Sequence, residues 1–179
     1  MQRRSFLAAV GLGAVGSLAG CAGRHAIPQS RFDSNASCPE EVDLCYHEVG
    51  DEAVFLAPKR ERVEMGEDTS FHLVNRQPSS QGIGPDYWRL WRQTDGGWMK
   101  VPRKSVVDPG VSISPFGTYS WNVPVTPDDA PPQRDATPDW VAESTAFEPG
   151  RYCFTAFDVA TEDGEDETLG ALFDVVEKR

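Results

Sequence analysis

The sequence is poor in cations. Its 179 residues hold 17 Lys and Arg against 28 Asp and Glu, a net charge of −11. A phosphate-binding face needs clustered positive charge, so nucleic acid is excluded as a partner. Docking on anionic lipid through a basic patch is excluded on the same ground. Histidine is scarcer: His25, His47 and His72 are the three present. A blue-copper site needs a histidine soon after a cysteine and a methionine beside it. No histidine follows Cys153, and Met65 and Met99 both precede it, so residue order rules that site out. There is no Gly-x-Ser-x-Gly elbow for a hydrolase nucleophile. Gly11-x-Gly13 lies in an N-terminal apolar run and not in a phosphate-cradling loop. No window sustains a helical period, which argues against an α or α/β domain.

What is present begins with an address. Arg3 and Arg4 precede an uncharged run from Ala8 to Gly20 that ends Leu18-Ala19-Gly20-Cys21. A charged start, about a dozen apolar residues and small residues at the end describe an export signal. The run is too short for a membrane span, which takes about 20 apolar residues. Twin arginines specify the twin-arginine route. Leu-Ala-Gly-Cys resembles the lipobox of exported lipoproteins, which implies lipidation of Cys21 and removal of residues 1–20. Without the two signal arginines the chain keeps 15 basic and 28 acidic residues, a charge of −13. Such a charge repels itself in dilute solution, and molar salt, with a Debye length of about 3 Å, removes the repulsion.

Residues 21–50 read as a lipid-anchored flexible tether, with Ser, Asn, Pro and Glu dominating Gln29 to Glu41. Three cysteines follow Cys21. Outside the cell, neighbouring thiols oxidise. Cys38 and Cys45 are the preferred disulfide, worth roughly 2–3 kcal/mol for so short a loop. Cys45 with Cys153 is the alternative, and Cys153 is otherwise a buried thiol. Asn35-Ala36-Ser37 fits the N-glycosylation pattern, which makes Asn35 a possible acceptor.

Residues 51–179 read as a small all-β domain. Counting Gly and leaving out Tyr, about 46% of the chain is apolar, enough for a core. Seven period-2 segments are expected as strands: Val54–Leu56, Ser70–Asn75, Tyr87–Arg92, Trp98–Val101, Tyr119–Val123, Arg151–Phe157 and Ala171–Val176. Trp88 and Leu90 are expected inward, as are Phe71 and Leu73. Thr94-Asp95-Gly96-Gly97 supplies a hairpin turn. Short strands at this spacing predict an antiparallel β-sandwich of about seven strands. A long loop, Thr126 to Thr145, breaks the pattern, and loops of that length are usually functional or disordered. Its Trp140 is expected to pack back on the sandwich.

The order of features resembles immunoglobulin-like domains, with Trp88 on a central strand and Tyr152 at the corner that precedes a late strand. Antibody-type domains place a cysteine two residues after that tyrosine. Here Cys153 follows Tyr152 directly, and pleating sends the two side chains to opposite faces. The standard inter-sheet disulfide is therefore not expected. Signal, Cys45-Tyr46-His47 and a Trp-rich sandwich together resemble haloarchaeal twin-arginine-exported lipoproteins over nearly the whole chain. That resemblance implies a halophilic setting and brings no activity with it.

Two metal sites are conceivable from residue types. Cys38, Cys45 and His47 with His72 have no familiar zinc spacing, and oxidation competes for the thiols. Residues 162–167 hold five carboxylates but not the alternation of an EF-hand loop, so they read as a solvated turn. The sequence thus points to a lipid-anchored protein at the cell membrane, facing outside, with neither enzyme activity nor cofactor nor metal. Its expected partners are the membrane, through its anchor, and a surface protein or glycan. The alternative is an extracytoplasmic metal-binding protein or enzyme with a site at the long loop.

Overall fold

The computed structural model describes residues 29–102, 109–127, 147–160 and 165–178. Arg3, Arg4, Cys21, Trp140 and nearly all of loop 126–145 lie outside the described residues, as do residues 162–164 of the acidic turn.

Two sheets carry the fold. One joins β2 (Val54–Pro58), β4 (Asp68–Asn75) and β9 (Thr118–Pro124), antiparallel in that order. The other runs from β11 (Asp166–Val176) through β10 (Gly150–Ala160) and β6 (Trp88–Thr94) to β7 (Gly97–Lys100). Two short strands, β1 (Leu44–Cys45) and β3 (Arg62–Glu64), pair with β11 in parallel. A small ribbon of β5 (Gln81–Ile83) and β8 (Val111–Ile113) stands apart. In immunoglobulin terms, β2-β4-β9 stand as A, B and E, and β6-β10-β11 as C, F and G, with β7 as the added C′ strand. All seven segments read from period-2 alternation are strands. The short strands β1, β3, β5 and β8 were not, because two or three residues are too few to show a period.

The core lies between the sheets. Trp88 and Leu90 on β6, Phe71 and Leu73 on β4, and Tyr152, Phe154 and Phe173 are all buried there. Phe154 stacks on Phe71 with ring centroids 4.2 Å apart, and Trp88 stacks on Phe154 at 5.2 Å. The Trp121 indole donates to the Pro85 carbonyl at 2.8 Å, which satisfies the one polar atom of a ring that is otherwise enclosed. Tyr152 forms the corner. Its hydroxyl donates to the Glu148 carbonyl at 2.9 Å and accepts from the Glu148 amide at 3.1 Å. Cys153 points the other way, as its adjacency to Tyr152 requires.

Residues 29–50 are not a spacer. They form a strap over the outer face of the larger sheet, so the domain begins near Ser30 and not at Asp51. At one end, Ser30 donates to the Glu61 carboxylate, and Arg31 pairs with Asp174 at 2.7 Å. The Phe32 ring sits under the Arg151 guanidinium, 4.7 Å from its centroid. At the other end the Asp43 amide donates to the Thr168 carbonyl, and the Thr168 amide donates to the Asp43 carboxylate, both at 2.8 Å. Beneath lies a second apolar cluster of Phe32, Cys45, Trp91, Cys153 and Leu172. The polar composition of Gln29 to Glu41 misleads because only a few residues of the strap face the sheet.

Gly170 on β11 lets the strap approach. A Cβ there would stand 2.8 Å from Val42 Cγ1 and 3.1 Å from Cys38 Sγ. The first distance is shorter than real Cβ contacts, and the sulfur is held in a disulfide, so neither neighbour yields easily. Gly170→Val is expected to lift the strap and cost about 1–3 kcal/mol, the usual range for overpacking. Urea unfolding measures the loss, and faster alkylation of Cys153 in the folded protein reports the lifting. Unchanged values on both would contradict this packing.

Candidate functional site

Two places on this frame hold side chains that could do work. The first is the sulfur cluster under the strap. Cys38 and Cys45 form a disulfide, and Cys153 is a buried free thiol. The Cys153 Sγ lies 3.6 Å from the Cys38 Sγ. Pleating of β10 explains the placement: Arg151, Cys153 and Thr155 face the strap while Tyr152, Phe154 and Ala156 face the core. Trp91 lies beside them, its indole donating to Thr155 Oγ1 at 3.3 Å, with the Lys100 ammonium 4.8 Å from its ring centroid. Burial pushes the Cys153 thiol far above its ordinary value, which favours its protonated form at neutral pH.

The second place is one end of the sandwich. The pairs Val74 with Thr118 and Trp88 with Ala156 define that end, and the loops 76–87 and 114–117 leave from it. The amide of Phe116 donates to the Gln77 carbonyl and ties the two loops together. Tyr87, 45% exposed, stacks on Phe157 at 5.3 Å, and the Arg89 guanidinium covers the Phe157 ring at 4.2 Å. Phe116 is 59% exposed and has a φ of 57°. Asp158, at a φ of 54°, sits in a bulge that shifts the register of β10 between Ala156 and Val159. The bulge turns Phe157 toward Tyr87. These features were missed from sequence, since a single aromatic next to a strand does not reveal which face it takes.

The opposite end carries Ser30, where the strap begins, and Met65, whose amide donates to the Val176 carbonyl. An open groove of about 420 Å³ lies there, lined by Met65, Pro127, Phe147 and Lys178 among others. Both stems of the long loop, Pro127 and Phe147, border it.

The remaining candidates separate. Asn35 is exposed in a turn where its amide donates to the Asp33 carboxylate at 2.9 Å. The four candidate zinc ligands do not converge. Cys38 and Cys45 are bonded to each other, and the His47 Nε2 donates to the Ala36 carbonyl at 2.9 Å. His72 lies on the other sheet. Among the described residues no group of three His, Cys, Asp or Glu side chains is arranged to hold a metal. His72 Nδ1 and Ser120 Oγ share a 2.7 Å hydrogen bond across β4 and β9. Partial burial, then the nearby Lys59 charge, lowers the His72 pKa. A cation beside it opposes the imidazolium that a general base must become. That pair is a cross-strand contact between β4 and β9 on the smaller sheet.

The architecture defines the class of protein as an all-β sandwich. No protein-family model and no curated protein matches the chain. Solved structures give distant likenesses. The alkylpurine DNA glycosylase AlkC of Pseudomonas fluorescens is 15% identical with a TM-score of 0.33, over 71% of this chain and 31% of that one. A CsuC–CsuE chaperone–tip adhesion subunit complex of Acinetobacter baumannii gives 11%, 0.42, 70% and 57%. The sporulation control protein Spo0M of Bacillus subtilis gives 14%, 0.36, 73% and 51%. The chain thus spans between 31% and 57% of the length of these structures, and likeness at this level carries no functional information.

Proposed function

We propose that the protein is a lipid-anchored, outward-facing immunoglobulin-like module that works by interaction and not by catalysis. Its recognition surface is the end bearing Tyr87, Phe116 and Phe157. The carrying observation is the position of the strap. The described chain enters the domain at Ser30, at the end opposite those aromatics. From Cys21, the eight residues 22–29 reach at most about 28 Å when fully extended. A domain on so short a leash stands close to the membrane with its strap end inward and its aromatic loops outward. Exposed aromatics with an adjacent arginine are the residue types that dominate binding energy at interfaces. Tethering then raises the local concentration of this end near other surface molecules. A surface protein or glycan fits it, whereas nucleic acid does not suit a mature charge of −13.

Crosslinking in native membranes tests this reading. The wild-type protein is expected to capture a specific neighbour. The double variant Tyr87→Ala, Phe116→Ala should lose that capture at least tenfold, since removing hot-spot aromatics costs 2 kcal/mol or more at about 1.4 kcal/mol per decade. Met99→Ala, which removes an exposed apolar side chain on β7, should retain it. Equal capture by all three would refute the assignment of this end.

A further inference from the structure

We infer that Cys153 is a built-in exchange partner for the Cys38–Cys45 disulfide, so that the folded chain has two alternative linkages sharing Cys38. Three observations carry this. The Cys153 and Cys38 sulfurs are in contact at 3.6 Å. The attacking sulfur is enclosed, with Cys45, Cys153, Trp91 and Leu172 in one buried cluster and Cys38 partly buried against it. The two linkages also differ in what they hold. Cys38–Cys45 closes a loop within the strap, at a sequence separation of 7. Cys38–Cys153, at a separation of 115, would fasten the strap to β10.

The exchange balances without an outside oxidant or reductant. Cys153 gives its proton to solvent base, and its thiolate attacks the Cys38 sulfur. The Cys38–Cys45 bond breaks as the Cys38–Cys153 bond forms. Cys45 leaves as a thiolate and takes up a proton. One disulfide and one thiol are present before and after. Rate follows the thiolate fraction of the attacking sulfur. Burial keeps that fraction very small at neutral pH, which holds the strap in its first linkage and makes exchange rise with alkalinity. Below the thiol pKa each pH unit multiplies the thiolate, and hence the rate, by about ten. The seven-residue separation makes the first linkage a local clasp, and exchange turns it into a rivet between strap and sheet.

Trypsin reads the two states directly. Cys38 and Cys45 lie together in the peptide 32–59, and Cys153 lies in the peptide 152–178. The full-length folded protein is incubated between pH 7 and pH 9, quenched with acid, alkylated in denaturant and digested. The expected result is a 32–59 to 152–178 crosslink that forms about tenfold faster for each pH unit, with alkylated Cys45 in the same product. A crosslink that never forms, or forms only in denaturant, overturns the inference. The variant Cys45→Ser gives a second measurement independent of the balance between linkages. In a glutathione buffer it should form Cys38–Cys153. Glutathione on Cys38 with Cys153 left as a thiol, in a protein of native fluorescence, overturns the inference equally. If that variant does not fold, the wild-type time course decides alone.

Discussion

Phe154→Ala is expected to cost about 3–5 kcal/mol, the range for truncating a fully enclosed phenylalanine. Phe154 has no exposed surface. Its ring lies at the centre of the sandwich, stacked on Phe71 from the opposite sheet and on Trp88 from β6, with Trp121 tilted against it at 5.6 Å. The substitution removes a central ring that joins the two sheets, and three large aromatics lose a partner at once. They cannot collapse into the gap, because Phe71 is backed by Phe173 and Trp121 is tied to Pro85 through its indole N–H. Domains of this size have about 5–15 kcal/mol in all, so the loss takes a large share of the total. Urea unfolding followed by tryptophan fluorescence measures it. A loss below about 1 kcal/mol would mean that the sheets are held together elsewhere.

Cys21→Ser is expected to move the protein from the membrane to the medium. On the proposed reading the lipid on Cys21 is what holds the chain at the membrane. Among the described residues no helix is long and apolar enough to cross a membrane. The charge of −13 that the proposed processing would leave is repelled by anionic headgroups. Each buried CH₂ of a lipid chain contributes about 0.8 kcal/mol, and two chains make binding stable where one is marginal. Removing the proposed acceptor sulfur would remove that lipid contribution in one step. Retention of the variant in sodium-carbonate-washed membranes would contradict the lipid assignment.

Much of the sandwich was legible because its long strands alternate. Trp88 and Leu90 showed their inward face, Phe71 and Leu73 theirs, and Tyr152 next to Cys153 showed that the cysteine leaves the core. What could not be read was the strap. Its own residues look like a linker, and the signal lay in the strands it covers. Trp91 beside Leu90, Cys153 between Tyr152 and Phe154, and Leu172 between Ala171 and Phe173 are apolar at both parities. A strand apolar on both faces is covered on both faces. The sulfur contact was equally hidden, since a separation of 115 residues leaves no local pattern. The aromatic end depended on a bulge at Asp158, and the positive φ of a non-glycine residue is not written in the sequence.

The most direct test of a membrane-held module is the intact mass of the protein extracted from its own membranes. The account predicts a chain that begins at Cys21, lacks residues 1–20 and carries the added mass of a lipid on that cysteine. A mass equal to the bare polypeptide, whether full length or cut elsewhere, would contradict it.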